Sequence, residues 1–122
     1  MFLATANKPK QLLYLHFIQN VSAEELEQSR GEIEELLAGL NSGFRLVTDL
    51  CGLAKIDANC AAEIGRLMEL FDQKGIEMVV RVVPDPAKDF GFNILSRFHY
   101  HHPHSTVTVE TLAEAAHILE LA

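Results

Sequence analysis

Two stretches of the chain carry residue types suited to chemistry. Asp49-Leu50-Cys51-Gly52 is followed closely by Ile56-Asp57-Ala58-Asn59-Cys60. The first ends an apolar run and the second opens a helical pattern, so together they join a strand end to a helix start. In open α/β sheets, ligands and partners dock at that edge, outside the carboxyl ends of the strands. A helix start offers free N–H groups and a positive dipole end, which suit a phosphate, a carboxylate or a partner's carbonyl. Asp57 is well placed to be the N-cap of that helix. Cys51 and Cys60 are the only cysteines and lack CxxC spacing. Both are expected as buried small hydrophobes rather than a disulfide or a zinc site.

The other stretch is His99-Tyr100-His101-His102-Pro103-His104, four imidazoles in six residues. Imidazoles bind zinc, copper or nickel. They also charge together near about pH 6. A tetrahedral site needs side chains that converge on one point, and neighbours on one loop rarely do. No cysteine or carboxylate falls inside the run. His99, His101, His102 and His104 are therefore a weak metal candidate, and the run is expected as an exposed helix end and loop.

The elements that position these residues follow from periodicity. Met1 to Ala6 and Leu12 to Ile18 read as two strands joined by the turn-forming Asn7-Lys8-Pro9-Lys10, a hairpin. Ser22, with Glu25 three residues later, marks a capping box. Leu26, Ile33, Leu36, Leu37 and Leu40 then share one helical face, and Asn41-Ser42-Gly43 stops the helix. Phe44 to Leu50 is a short apolar strand. The helix after Asp57 buries Cys60, Ile64, Leu67, Met68 and Phe71 and ends at Lys74-Gly75. Ile76 to Val83 is the strongest strand pattern, broken by Pro84-Asp85-Pro86. Ala87 to about Phe98 predicts a third helix, with Phe90, Ile94, Leu95 and Phe98 inward and Phe92 left exposed. A last strand, Ser105 to Val109, and a last helix, Thr111 to Leu121, close the chain. The order β-β-α-β-α-β-α-β-α predicts one α/β domain over residues 1–122 with a largely parallel sheet.

At this point the sequence resembles a family. The segment from Phe44 to Val83 looks like the centre of a STAS domain, the family that includes the bacterial anti-anti-sigma factors. Its signature is a strand ending in Asp-Leu-Ser-Gly, then Asp-Ser-Ser-Gly opening a helix, then a helix end near Lys-Gly and an apolar strand. Asp49-Leu50-Cys51-Gly52 matches the first part with Cys for Ser. Ile56-Asp57-Ala58-Asn59-Cys60 aligns with the second without gaps. The resemblance runs from the hairpin to Thr111-Leu112-Ala113-Glu114-Ala115. It implies a STAS-like (SpoIIAA-like) α/β fold: a mixed, largely parallel sheet, an N-terminal β-hairpin and about four helices. In the regulatory members a Ser or Thr at the helix start is phosphorylated by a partner kinase. The dephosphorylated domain binds that partner, an anti-sigma factor. The phosphosite-equivalent here is Asn59, which has no hydroxyl to phosphorylate, and Ala58 has none either. The resemblance thus implies a non-enzymatic, protein-binding module with the phospho-switch lost or moved. Asp57, Ala58, Asn59, Cys60, Asp49 and Gly52 are its partner-binding residues, and the partner is an anti-sigma factor/serine kinase or a related ATPase. Other branches imply a soluble subunit of a membrane transporter, a part of a stress-signalling complex, or a small-ligand or nucleotide-binding domain.

Composition narrows the field independently. The 122 residues are 48% hydrophobic and 22% charged, which excludes wholesale disorder. The formal net charge is −7, and the ten basic residues stand singly rather than clustered. Neutralising several phosphates needs clustered Lys and Arg, so nucleic acid and anionic membrane surfaces are not expected as partners. Direct membrane insertion is not expected because no run of about 18 apolar residues occurs. The opening residues do not read as a signal peptide. The expected location is cytoplasmic. No nucleophile elbow, P-loop or dinucleotide fingerprint is present, so no catalytic residue is assigned and no cofactor is expected. A phosphoacceptor receiver domain is rejected because His16-Phe17-Ile18-Gln19-Asn20 lacks the acidic pair that would hold its metal.

Overall fold

The computed structural model describes residues 1–85 and 89–120, without the side chain of Phe90. Strands β1 (Phe2–Asn7) and β2 (Leu12–Val21) form the expected antiparallel hairpin, with Phe2 opposite Phe17 and Asn7 opposite Leu12. Asn7 Oδ1 accepts the Lys10 N–H at 3.1 Å, the side-chain-to-backbone bond that makes Asn a turn former. Helix α1 (Ala23–Ala38) follows, capped by Ser22, whose hydroxyl accepts the Glu25 N–H at 3.2 Å. The capping box is half-made: Glu25 turns its carboxylate away and accepts the Phe2 N–H of β1 at 2.9 Å. Strand β3 (Arg45–Ile56), helix α2 (Cys60–Lys74), strand β4 (Met78–Val82), helix α3 (Asp89–His99), strand β5 (Ser105–Val109) and helix α4 (Leu112–Ile118) complete the order. The Ala87 start expected for the third helix and the Leu121 end expected for the last lie outside the described residues.

The five strands lie in the order β1-β2-β3-β4-β5, every pair after the hairpin parallel. This is the mixed, largely parallel α/β sheet that the element order predicts. Helices α1, α2 and α3 cover one face, where Leu13, Leu15 and Phe17 of β2, Leu46 and Leu50 of β3 and Val79 of β4 meet Leu26, Ile33, Leu67, Phe71 and Phe92. The short α4 covers part of the other, over Val47, Val80, Val82 and Val109. A parallel strand buried on both faces reads as a continuous apolar run, which is why β4 gave the strongest signal.

Three expectations change. Strand β3 does not stop near Leu50. It runs to Ile56 because β2 continues beside it, pairing Ile18 with Gly52 and Val21 with Ile56 across two register shifts. Cys51 is exposed, not buried, because it lies on this extension beyond the cover of the helices; Cys60 is buried as expected. Helix α3 is turned from its predicted face: Phe92 is buried, while Ile94 is 38% and Phe98 71% exposed. The cause is a buried cation. Arg81, in the middle of β4, points at α3 and is 1% exposed. Its guanidinium donates to Asn93 Oδ1 at 2.7 Å and to the Ser96 hydroxyl, and stands 3.4 Å from Asp89 Oδ1. Buried Asp89, half-buried Ser96 and exposed Asn93 therefore turn toward the guanidinium, which carries Ile94 and Phe98 outward. A buried charge without such partners would be far more costly than two exposed apolar side chains.

Candidate functional site at the start of helix α2

The site is built where β3 ends. Asp57 donates its backbone N–H to the Val21 carbonyl at 3.3 Å, continuing the β2–β3 ladder by one bond. The chain then turns: Cys60 N–H reaches the Asp57 carbonyl at 3.0 Å and Ala61 N–H reaches that of Ala58 at 3.3 Å. Asp57, Ala58 and Asn59 are exposed. Cys60 is the anchor, 1% exposed, with its thiol donating to the Val21 carbonyl at 3.6 Å.

Asp57 is not the N-cap. Helix α2 begins at Cys60, the capping position is Asn59 at φ −74° and ψ −4°, and no side chain caps the helix. The tight turn places helical backbone at the capping position itself, where a side chain does not make the usual bond back to the first-turn N–H groups. Two polar side chains, those of Asp57 and Asn59, thus project from this turn with no structural task. Burial pushes the Cys60 thiol above its ordinary value, and the carboxylates of Asp57, Glu25 and Glu63 add to that. Of the three, Glu63 lies within ion-pair distance of Arg30 and Arg66.

Asp49 and Gly52 do not join the turn. Leu50 packs under the helices, so its neighbour Asp49 points to the opposite face of the sheet. There Asp49 Oδ1 accepts the Cys51 N–H at 2.9 Å and Oδ2 lies 3.3 Å from His16 Nδ1. Gly52 sits in register with Ile18 on the extended strand. The six residues expected as one surface are split into a turn, Asp57 to Cys60, and a separate group, Asp49 with His16.

Between the turn and α3 a slot of about 180 Å³ opens, walled by Ile56, Ala61, Ile64, Phe92 and Leu95 with Asp57 at its rim. Spacing within one motif gives no sign of it, since its far wall comes from α3. The Arg81 cluster was equally unread, although a lone arginine amid valines in a strand, and Asp89, Asn93 and Ser96 on one helical face, were its signals.

The histidine run does not gather into a metal centre. Among the described residues no group of three His, Cys, Asp or Glu side chains could hold a metal ion. His99 pairs with Glu69 at 3.4 Å and lies on Gly65 of α2, where a Cβ would run into its imidazole. His102 binds the buried Asp72 with both its ring Nδ1 at 2.9 Å and its backbone N–H at 3.0 Å. His104 packs on Tyr100 with ring centroids 4.3 Å apart, and His101 is exposed. Adjacent residues diverge to different elements, so the run fastens the α3–β5 connection to α2.

Five strands in this order, the hairpin at one edge and the helices divided three and one define a SpoIIAA-like, STAS-type fold. An uncharacterized protein of the DUF3478 family from Shewanella loihica PV-4, with a SpoIIAA-like fold, superposes with a TM-score of 0.73 at 16% identity, covering 98% of this chain and 92% of that one. The anti-sigma factor antagonist SpoIIAA in its unphosphorylated form gives 0.63 at 14% identity, covering 100% and 99%. The Bacillus cell fate determinant SpoIIAA in its phosphorylated form gives 0.58 at 16%, covering 98% and 99%. No protein-family model and no curated protein sequence matches the chain. Among the described residues no helix is long and apolar enough to cross a membrane.

Proposed function

We propose that this chain is a non-enzymatic protein-interaction module of the anti-sigma factor antagonist type, working in the cytoplasm. It docks through Asp57, Ala58, Asn59 and the residue that anchors them, Cys60. Asp49 and Gly52, on β3, stand apart from this turn and are not part of the docking surface. The observation that carries the reading is the turn itself: two polar side chains stand exposed at the head of α2 without a capping bond. The likeness to SpoIIAA, known as an anti-sigma factor antagonist and solved with and without phosphate, supports a regulatory binding role. Asn59 and Ala58 offer no hydroxyl, so docking at this turn does not depend on Ser/Thr phosphorylation there. The partner class is an anti-sigma factor/serine kinase or a related ATPase.

Capture from a lysate of the source cells, with wild-type and Asn59→Trp baits, tests this. Asn59 is exposed and makes no cap bond, so the bulky residue should leave the circular dichroism spectrum unchanged. An ATPase or anti-sigma factor retained by the wild type and lost from the variant is the expected result. Equal retention by both baits would sink the reading, and so would a phosphate found on Asp57 to Cys60 in native protein for its switch-free form.

A further inference from the structure

We propose that the slot between the start of α2 and α3 is an anchor pocket for a partner segment that sets one bulky apolar side chain beside a lysine or arginine. This rests on the docking reading above and specifies the partner's chemistry. The slot measures about 180 Å³. A cavity of roughly 150 Å³ holds a benzene ring, so one aromatic or branched aliphatic side chain fits here. Its walls are the side chains of Ile56, Ala61, Ile64, Phe92 and Leu95. Ala61 is exposed and Leu95 half-buried, so an incoming side chain meets the slot from solvent without moving a helix.

Charge decides what accompanies that side chain. Among the described residues Asp57 is the one charged residue lining the slot. It is exposed and takes part in no ion pair among the described residues. Glu25 and Glu63 also face the helix start. Glu63 is already met by Arg30 and Arg66, and Glu25 accepts the Phe2 N–H. Lys55, on β3 before the turn, lies outside the lining. A helix N-terminus by itself favours anions. Here an anion would meet the unpaired Asp57 carboxylate, on a chain of net charge −7. A cation on the partner instead pairs with Asp57 while its apolar neighbour leaves water, the arrangement of an apolar anchor with a charged rim.

A phage-displayed library of random dodecapeptides, panned on the folded chain, tests the chemistry without knowledge of the partner. The expected outcome is enrichment of peptides with a bulky apolar residue within a few positions of Lys or Arg. A synthetic peptide of the consensus should lose roughly tenfold or more in affinity when its apolar residue becomes alanine. It should lose a similar factor on Ala61→Trp, which fills the slot, and on Asp57→Lys. Ala58→Trp serves if Ala61→Trp fails to fold, because Ala58 is exposed in the turn. No enrichment, enriched peptides that are acidic, or binding indifferent to the slot-filling variants would overturn the proposal. A partner lost on Asn59→Trp while the peptides fail leaves the docking reading standing and removes only the anchor. A partner retained equally by both baits removes the docking reading itself.

Discussion

Removing the carboxylate of Asp89 should damage this protein more than removing the arginine it faces. Arg81 is 1% exposed and holds a full charge against Asp89, Asn93 and Ser96, 6.0 Å from the centre of the Phe92 ring. In Asp89→Leu that cation stays buried against Asn93 and Ser96, both neutral. Breaking a buried pair by removing one member typically costs about 3–5 kcal/mol. In Arg81→Met the carboxylate left behind still accepts from Asn93 Nδ2 at 3.1 Å and Thr108 Oγ1 at 2.9 Å. Its side chain is also 10% exposed, so water reaches it, and about 1–3 kcal/mol is expected. The double variant should cost less than the sum, by about 1–3 kcal/mol, because neither charge is orphaned. Against a total of roughly 6–18 kcal/mol for 122 residues, Asp89→Leu alone removes a substantial share of the stability while leaving the domain folded enough to titrate. Urea titrations of the four proteins measure this, with unchanged slopes confirming a common unfolded state. Additivity within about 0.5 kcal/mol, or a smaller cost for Asp89→Leu than for Arg81→Met, would refute the reasoning.

Other expectations are simpler to check. Burial raises the Asp72 carboxyl, but the backbone N–H of His102, its imidazole and the N–H of His101 outweigh it and hold Asp72 below its ordinary value. A depressed carboxyl adds stability that is full above its unfolded value, about 3.9, and lost as pH falls through the lower folded one. The Tm gap between wild type and Asp72→Asn, followed from pH 7 to pH 2, should therefore close only below about pH 4. The Cys51 thiol is pushed up to about 11 by desolvation of its sulfur and by the Asp49 carboxylate that accepts from it. It should alkylate with iodoacetamide slowly at pH 8 for an exposed cysteine, and Asp49→Asn should speed the reaction several-fold. Phe92→Ala should cost about 3–5 kcal/mol in a urea titration, whereas Phe98→Ser should stay within about 0.5.

The fold was largely legible because its determinants are local and periodic. The Ser22 cap, the Gly75 helix stop at φ 94° and the apolar run of β4 each announce an element without reference to the rest of the chain. What could not be read is what depends on a partner element. Strand β3 outlasts its apolar run because β2 happens to extend beside it, and that pairing has no signal within residues 51–56. The face that α3 buries was misjudged for a related reason. Hydrophobic periodicity assumes that a helix turns its apolar side to the core, whereas a cation in the neighbouring strand reverses the preference at Ile94 and Phe98.

The same division runs through the candidate site. Asp57 to Cys60 were found together because they are adjacent in sequence and a short apolar strand leads into them. Asp49 was assigned to the same surface because it too lies on that approach, but strand alternation sends its side chain through the sheet to His16. Sequence proximity therefore marked the turn and said nothing of what the turn faces. That is supplied by α3, whose Phe92 and Leu95 make the slot's far wall in the rotation that the bonds from Arg81 to Asn93 and Ser96 favour. The charge cluster around Arg81, which does not line the slot, thus shapes it by orienting α3. Arg81→Met should therefore weaken a slot-binding peptide in a binding titration without altering any residue of the turn, and an unchanged affinity would separate the slot from the cluster.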